Sequence, residues 1–273
     1  MEIEIHERLG ALAHPKRLDL FQLLMRRYPD AVPAGEIAEA LALKPNTTST
    51  YLNALKAAGL IAQARQGTSL QYTVNLPAVR ALFDGLLGTC CQNRPDLCLQ
   101  PAQTPISTHD RVLNVLFICT GNSARSIMAE AILNAEGNGR FRAYSAGTAP
   151  SDQPNEMVLE LLRQKGYDLS QLRSKSVDEF AADDAPQMDF VFTVCDHAAN
   201  EACPTWPGQP LSAHWGLADP VAAQGSDAQK QLALQQAYGL LRNRITAFVS
   251  LPFETLDRIS LQHKVDDIGR MAE

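Results

Sequence analysis

The chain has 273 residues, 45% hydrophobic and 20% charged, enough for two domains of ordinary size that can each bury a core. Residues 1–100 hold ten Lys+Arg against nine Asp+Glu, which leaves fourteen against twenty-one for the rest, so bulk charge gives no nucleic-acid footprint and any DNA case rests on pattern. The charged start MEIEIHERLG has no apolar h-region, and no run approaches the ~18 apolar residues of a membrane span, so a signal peptide and a membrane partner are not expected and the cytoplasm is the expected compartment.

In chain order, IHERLGALAHPKRLDLFQLLMRR has apolar residues at helical spacing, interrupted at Pro15. AGEIAEAL predicts a second helical stretch behind Pro33, and TTSTYLNALKAAG a third, opened by Pro45 and closed by Gly59. IAQAR and SLQYTVN alternate around Gln66-Gly67 and predict a β-hairpin, and LPAVRALFDGLL predicts one more helix. Residues 99–110, LQPAQTPISTHD, read as a linker. From Arg111 the pattern becomes α/β: VLNVLFI is a continuous apolar run of the kind a buried parallel strand shows, followed by the helix SIMAEAILNAE. FRAYSAG and MDFVFTV predict further strands around the helix PNEMVLELLRQKG, and residues 228–249 predict a long helix. Residues 251–273 read as an added amphipathic helical tail.

The six cysteines fall into two groups, Cys90, Cys91 and Cys98, then Cys119, Cys195 and Cys203. Clustered cysteines in a cytosolic chain point to metal binding or catalysis more than to structural disulfides.

The stretch from Cys119 through Thr120, Gly121, Asn122, Ser123, Ala124 and Arg125 to Ser126 is strand end, tight loop and helix start. Backbone N–H groups converge in such a loop, the helix N-terminus adds positive potential, and an arginine can hold two anion oxygens. The same field is expected to lower the pKa of Cys119 and favour the nucleophilic thiolate. CTGNSARSIMAEAIL resembles the phosphate loop of the low-molecular-weight protein tyrosine phosphatase superfamily, and its arsenate reductase branch most, over about residues 111–250.

Downstream, Cys195 ends a predicted strand, Cys203 lies in the following loop, and His214-Trp215-Gly216-Leu217-Ala218-Asp219-Pro220 comes after. His214-Trp215 reads as packing. Together with Cys119 the set is similar to the three-cysteine arsenate reductases, and that resemblance implies a mechanism. Cys119 attacks arsenate held by the loop and Arg125, Asp219 protonates the leaving oxygen, Cys195 resolves, and Cys203 passes the disulfide outward to thioredoxin or a glutathione/glutaredoxin system. No tightly bound cofactor is implied. Phosphatases of this superfamily usually carry aromatic residues after the acid Asp-Pro, whereas Val221-Ala222 follow here, and a phosphatase has no use for Cys195 and Cys203.

Residues 34–74 read as a helix-turn-helix and wing, and residues 5–98 resemble the ArsR family of metal-responsive winged-helix repressors. The resemblance implies operator DNA as partner, with Thr47, Thr48, Ser49, Thr50 and Tyr51 facing the major groove and Arg65, Gln66 and Thr68 at the wing. It also implies a homodimer. Cys90, Cys91 and Cys98 resemble the cysteine triplet of arsenic-sensing members; three soft thiolates suit a trigonal thiophilic ion, with As(III) as effector, where zinc would want a fourth ligand.

The expected architecture is an α+β winged helix-turn-helix domain at 1–98, a linker at 99–110, a low-molecular-weight phosphatase-like α/β domain with a central parallel sheet at 111–250, and a helical tail at 251–273. The expected function is arsenate reduction fused to an As(III)-responsive repressor. Two alternatives stay open: a phosphatase with a DNA-binding regulatory arm, and a repressor with a non-catalytic anion-binding domain.

Overall fold

The computed structural model describes residues 5–86, 111–182, 184–201, 206 and 208–271. The chain divides into two compact units, Met1–Gln103 and Thr104–Glu273. The predicted linker at 99–110 lies outside the described residues. Among the described residues no helix is long and apolar enough to cross a membrane.

The first unit runs α1 (Ile5–Leu12), α2 (Pro15–Arg27), β1 (Val32–Pro33), α3 (Ala34–Ala40), α4 (Pro45–Ala57), β2 (Ile61–Gln66), β3 (Ser69–Val74) and α5 (Leu76–Gly85). Helices α2, α4 and α5 each start with a proline in the first turn, where the missing N–H breaks no hydrogen bond. Helix α4 ends where Gly59 takes a φ of 68°, and Leu60 N–H closes onto Leu55 C=O at 3.1 Å. β2 and β3 pair antiparallel with Gln66 opposite Ser69, across a two-residue turn led by Gly67 at a φ of 61°. The two-residue strand β1, not foreseen in the sequence, adds to β3, so the sheet order is β1-β3-β2. Leu20, Leu23 and Leu24 of α2, Ile37 of α3 and Leu52 and Leu55 of α4 close over Tyr72 and Val74. α3 and α4 form the helix-turn-helix, and the β2–β3 hairpin follows as the wing.

The second unit runs β4 (Leu113–Cys119), α6 (Arg125–Glu136), β5 (Phe141–Gly147), α7 (Glu156–Gln164), a 3-10 turn at Val177–Phe180, β6 (Phe190–Thr193), α8 (Asp196–Asn200), β7 (Leu211–His214), α9 (Asp227–Val249) and α10 (Arg258–Gly269). Among the described residues its four strands are all parallel, in the order β5-β4-β6-β7. β4 lies inside the sheet and is buried at six of seven positions, which is why its sequence is an unbroken apolar run. Along edge strand β5, the Asn134 side chain donates to Ala143 C=O at 3.0 Å and accepts from Ala143 N–H at 2.8 Å, occupying backbone groups an edge would leave open. Helix α9 starts on a capping box between Ser226 and Gln229.

The predicted tail needs correction. Leu261, Val265 and Ile268 of α10 belong to the same buried core as Phe117, Phe192 and Phe248. Trp215 stacks on Phe192 with ring centroids 4.1 Å apart and donates its indole N–H to Val265 C=O at 2.9 Å. Gly269 lets α10 close on β7, since a Cβ there would collide with the His214 carbonyl. Amphipathic spacing shows that α10 has an apolar face but not which surface receives it.

Candidate active site

Cys119 is the last residue of β4, and Arg125 the first of α6. Every carbonyl from Cys119 to Ser123 accepts a hydrogen bond from outside the loop. Thr148, Ala149, Ser151 and Asn155 N–H groups donate to the carbonyls of Cys119, Thr120, Gly121 and Ser123 at 2.8–3.1 Å, and Ser174 Oγ donates to Asn122 C=O at 2.9 Å. In a planar trans peptide the next N–H points opposite the C=O, so outward carbonyls turn the amides of residues 120–124 inward. One of them, Asn122 N–H, reaches Cys119 Sγ at 3.2 Å. The close turn needs Gly147 alongside, because a Cβ there would sit 2.5 Å from the Thr120 carbonyl.

Asn122 has a φ of 44° and is fully buried. Asparagine tolerates this left-handed backbone better than most residues. The sequence places its backbone N–H in the anion loop; its side chain points into the protein. Its Nδ2 donates to Ser126 Oγ at 2.9 Å and to Ser145 Oγ at 2.8 Å, and its Oδ1 accepts Lys175 N–H at 2.7 Å. Ser145 Oγ donates to Glu130 Oε2 at 2.5 Å, and Lys175 Nζ pairs with the same oxygen at 3.0 Å. Glu130 and Lys175 are both buried. Burial raises the Glu130 carboxyl pKa, while Lys175 and the Ser145 hydroxyl oppose the rise. Ser145, Glu130 and Lys175 were missed in the sequence. The one available signal was an acid amid the buried residues of SIMAEAIL.

Ser126 Oγ lies 3.0 Å from Cys119 Sγ and is itself buried, so it serves the sulfur rather than a bound anion. The expectation of a lowered thiol pKa is corrected in direction. Burial pushes the Cys119 thiol up and the nearby Cys195 adds to it, while hydrogen bonds from Ser126 and the Arg125 charge pull it back. Desolvation of a sulfur only 2% exposed outweighs the favourable field.

Arg125 and Asp219, 94 residues apart, meet at the loop. Arg125 Nη2 donates to Asp219 Oδ2 at 2.7 Å and Nη1 to Leu217 C=O at 3.2 Å, while its buried Nε has no hydrogen-bond partner among the described residues. A buried guanidinium N–H without an acceptor is chemically suited to an incoming oxyanion.

Cys195 follows β6, the strand beside β4, and the ladder continues through Val194 N–H to Ile118 C=O at 2.8 Å. Both sulfurs therefore leave the sheet at the carboxyl ends of adjacent strands, where open parallel sheets place their sites. Cys195 Sγ lies 3.5 Å from Thr120 Oγ1 and accepts Ala198 N–H at 3.4 Å. Both thiols are free and buried. Cys203 lies outside the described residues.

A cavity of about 690 Å³ lined by Glu130, Arg142, Tyr144, Arg173, Lys175 and Phe180 excludes Cys119 and meets the site only through the Glu130–Lys175 pair.

In the first unit, Ser49 and Thr50 are exposed on α4, with hydroxyls donating back to Pro45 and Asn46 carbonyls at 3.0 Å. Thr47 is half-buried, and Arg65, Gln66 and Thr68 are exposed on the hairpin. Thr48 is a correction: it is 1% exposed and faces the core, since its helical neighbours Leu52 and Leu55 share that side. Tyr51 is half-buried and packs its ring 4.9 Å from His14. Lys44, exposed just before α4, was not singled out in the sequence. Cys90, Cys91 and Cys98 lie outside the described residues. Among the described residues no three His, Cys, Asp or Glu side chains gather as a metal site.

Comparison with known proteins adds a family to this geometry. The low molecular weight phosphotyrosine protein phosphatase model matches residues 114–260, and a helix-turn-helix domain model matches residues 12–64. The chain is 34% identical to the arsenate reductase of Halalkalibacterium halodurans over 135 residues, 49% of this chain and 93% of that protein. The Bacillus subtilis arsenate reductase matches with the same identity and the same shares. The arsenate reductase of Oceanobacillus iheyensis is 35% identical over 139 residues, again 49% and 93%. A crystal structure of arsenate reductase from Archaeoglobus fulgidus aligns with 28% identity and a TM-score of 0.38, covering 48% of this chain and 98% of that one. With more than half of its length in the family match, the chain belongs to the low molecular weight phosphotyrosine protein phosphatase family, joined here to a helix-turn-helix domain.

Proposed function

We propose that the second unit reduces arsenate to arsenite through a thiol–disulfide relay, and that the first unit is an As(III)-responsive repressor of operator DNA. The observation that carries the enzymatic half is a second buried thiol, Cys195, at the end of the strand next to Cys119 and linked to it through Thr120. A hydrolase needs one thiol, the loop, the arginine and an acid; a reductase needs a second thiol within reach as electron donor.

The chemistry balances as follows. The Cys119 thiolate displaces one oxygen of arsenate held by the loop amides and Arg125. Asp219 protonates the departing oxygen as water, leaving a Cys119–As(V) bond. The Cys195 thiolate attacks Cys119 Sγ, the sulfur–arsenic bond breaks, and its electron pair leaves on arsenic as arsenite. Arsenic gains two electrons while the two sulfurs lose them in a disulfide. Cys203 then attacks Cys195 Sγ and releases the Cys119 thiolate, and thioredoxin or a glutathione/glutaredoxin system reduces the Cys195–Cys203 disulfide.

The curated relatives are named arsenate reductases, which supports arsenate as substrate. For the first unit, support comes from the exposed Ser49, Thr50 and Arg65 on the helix-turn-helix and hairpin. The repressor would act as a homodimer on two half-sites. Cys90, Cys91 and Cys98 supply three soft donors, a set that fits trigonal As(III).

The deciding measurement is arsenate-dependent oxidation of a thiol reductant, with thioredoxin and glutaredoxin compared as donors. Cys195→Ser should stop multiple turnovers while Cys119 still binds or hydrolyses an oxyanion ester. Normal arsenate turnover by that variant would rule out the relay, and para-nitrophenyl phosphate turnover without arsenate reduction in the unaltered protein would make it a phosphatase.

A further inference from the structure

His214 ends β7, the strand beside β6, and its side chain is fully buried. Both ring nitrogens are engaged, and the partners stand on either side of Cys195. Nδ1 lies 2.8 Å from Thr193 Oγ1, two residues before the thiol, and Nε2 lies 3.0 Å from Asp196 Oδ1, the residue after it. A carboxylate only accepts, so Nε2–H donates to Asp196, while Nδ1 and the Thr193 hydroxyl share the second contact.

The ring is held from behind as well. Trp215 N–H donates to Thr193 C=O at 2.7 Å, and the Trp215 ring stacks on Phe192. Gly216 makes room for the arrangement: a Cβ there would stand 2.5 Å from His214 Nε2 and 2.7 Å from Asp196 Oδ1. Residues 193 and 196 are thus tied to one rigid imidazole, and the backbone of Cys195 is fixed from both ends.

We propose that His214 is a positioning residue for the resolving thiol: it clasps both flanks of Cys195 and aims Sγ at Cys119. The inference rests on the relay reading above. Attack on a sulfur–arsenic bond needs the incoming sulfur in line with the departing one, and misplacement by about 1 Å can slow such a step by about 10²-fold. Asp196 is the accessible arm of the clasp, with 58% of its side chain exposed, so it can be altered without opening the core.

The test uses the full-length, reduced protein. Arsenate is added, samples are acid-quenched over time, and the summed Cys119–Cys195 and Cys195–Cys203 disulfide, the second being the product of the first, is counted by peptide mass mapping. His214→Phe and Asp196→Ala should each form it at least about tenfold more slowly, with the half-saturating arsenate concentration unchanged. His214→Gln, which keeps a donor and an acceptor, should recover most of the rate. The double variant His214→Phe/Asp196→Ala should be no slower than the slower single, as expected when two groups act through one contact. Rates within twofold of the unaltered protein, or a loss confined to arsenate affinity, would overturn the assignment. Should His214→Phe fail to fold, Asp196→Ala decides alone. An unaltered protein that forms no such disulfide with arsenate overturns the relay reading itself, and the clasp with it.

Discussion

At the scale of single residues, the thiol of Cys119 is governed by two opposed effects, burial that favours the neutral form and hydrogen bonds that favour the thiolate. Its pKa lies above the ordinary cysteine value, so alkylation should climb with pH and reach its plateau later than for a free thiol. Ser126 Oγ at 3.0 Å is the side-chain donor that opposes this. Ser126→Ala should move the profile further toward alkaline pH. At neutral pH it should slow iodoacetamide labelling of Cys119 by about tenfold, the loss of one charge-assisted hydrogen bond of about 1.5 kcal/mol. Peptide-mapped labelling across a pH series reads this, and an unchanged midpoint would place the thiolate's support in the backbone amides instead. The local sequence announced the Cys119 thiol, the loop and the arginine, because strand, glycine-containing turn and helix start are short-range patterns. It did not show where the Asn122 side chain turns, which depends on Ser145 and Lys175, 23 and 53 residues away.

At the scale of elements, α6 and the loop before it are locked to the sheet and to the 174–175 segment through the buried Glu130–Lys175 pair. Removing one partner of a buried ion pair leaves an uncompensated charge, and Lys175→Met should lower unfolding stability in urea by about 3–5 kcal/mol. Glu130 should then hold its proton more tightly, since the nearest cation opposing its raised pKa has gone. Pairing it with Glu130→Gln should restore most of the loss, as removal of both charges is far less damaging than removal of one. A single variant as stable as the unaltered protein would mean that water reaches the pair. The periodicity of α6 was legible; that its Glu130 would be buried against a lysine 45 residues on was not.

At the scale of the molecule, the unit proposed to produce arsenite is joined in one chain to a module proposed to respond to it. Cys90→Ser should leave operator affinity intact and abolish release by arsenite, measured by fluorescence anisotropy of labelled operator DNA. Release at the same arsenite concentration as in the unaltered protein would dismiss the cysteine triplet as the sensor. The two-unit division and the class of each unit were readable from composition and pattern, as was the split between a helical, hairpin-bearing first half and a parallel second half.

By itself the sequence determined what repeats or clusters locally: the longer helices of both units, the hairpin with its Gly67 turn, the buried strand β4, and the cradle from Cys119 to Ser126. Tertiary structure alone decided which way side chains face and which distant groups meet. It turned Thr48 into the core, drew β1 and β7 into sheets too short to show periodicity, packed α10 under Trp215, and brought His214 to the flanks of Cys195. The physical reason is range. Backbone preference and hydrophobic period act over a few residues, whereas burial and hydrogen bonding between segments tens of residues apart exist only once the chain has closed on itself.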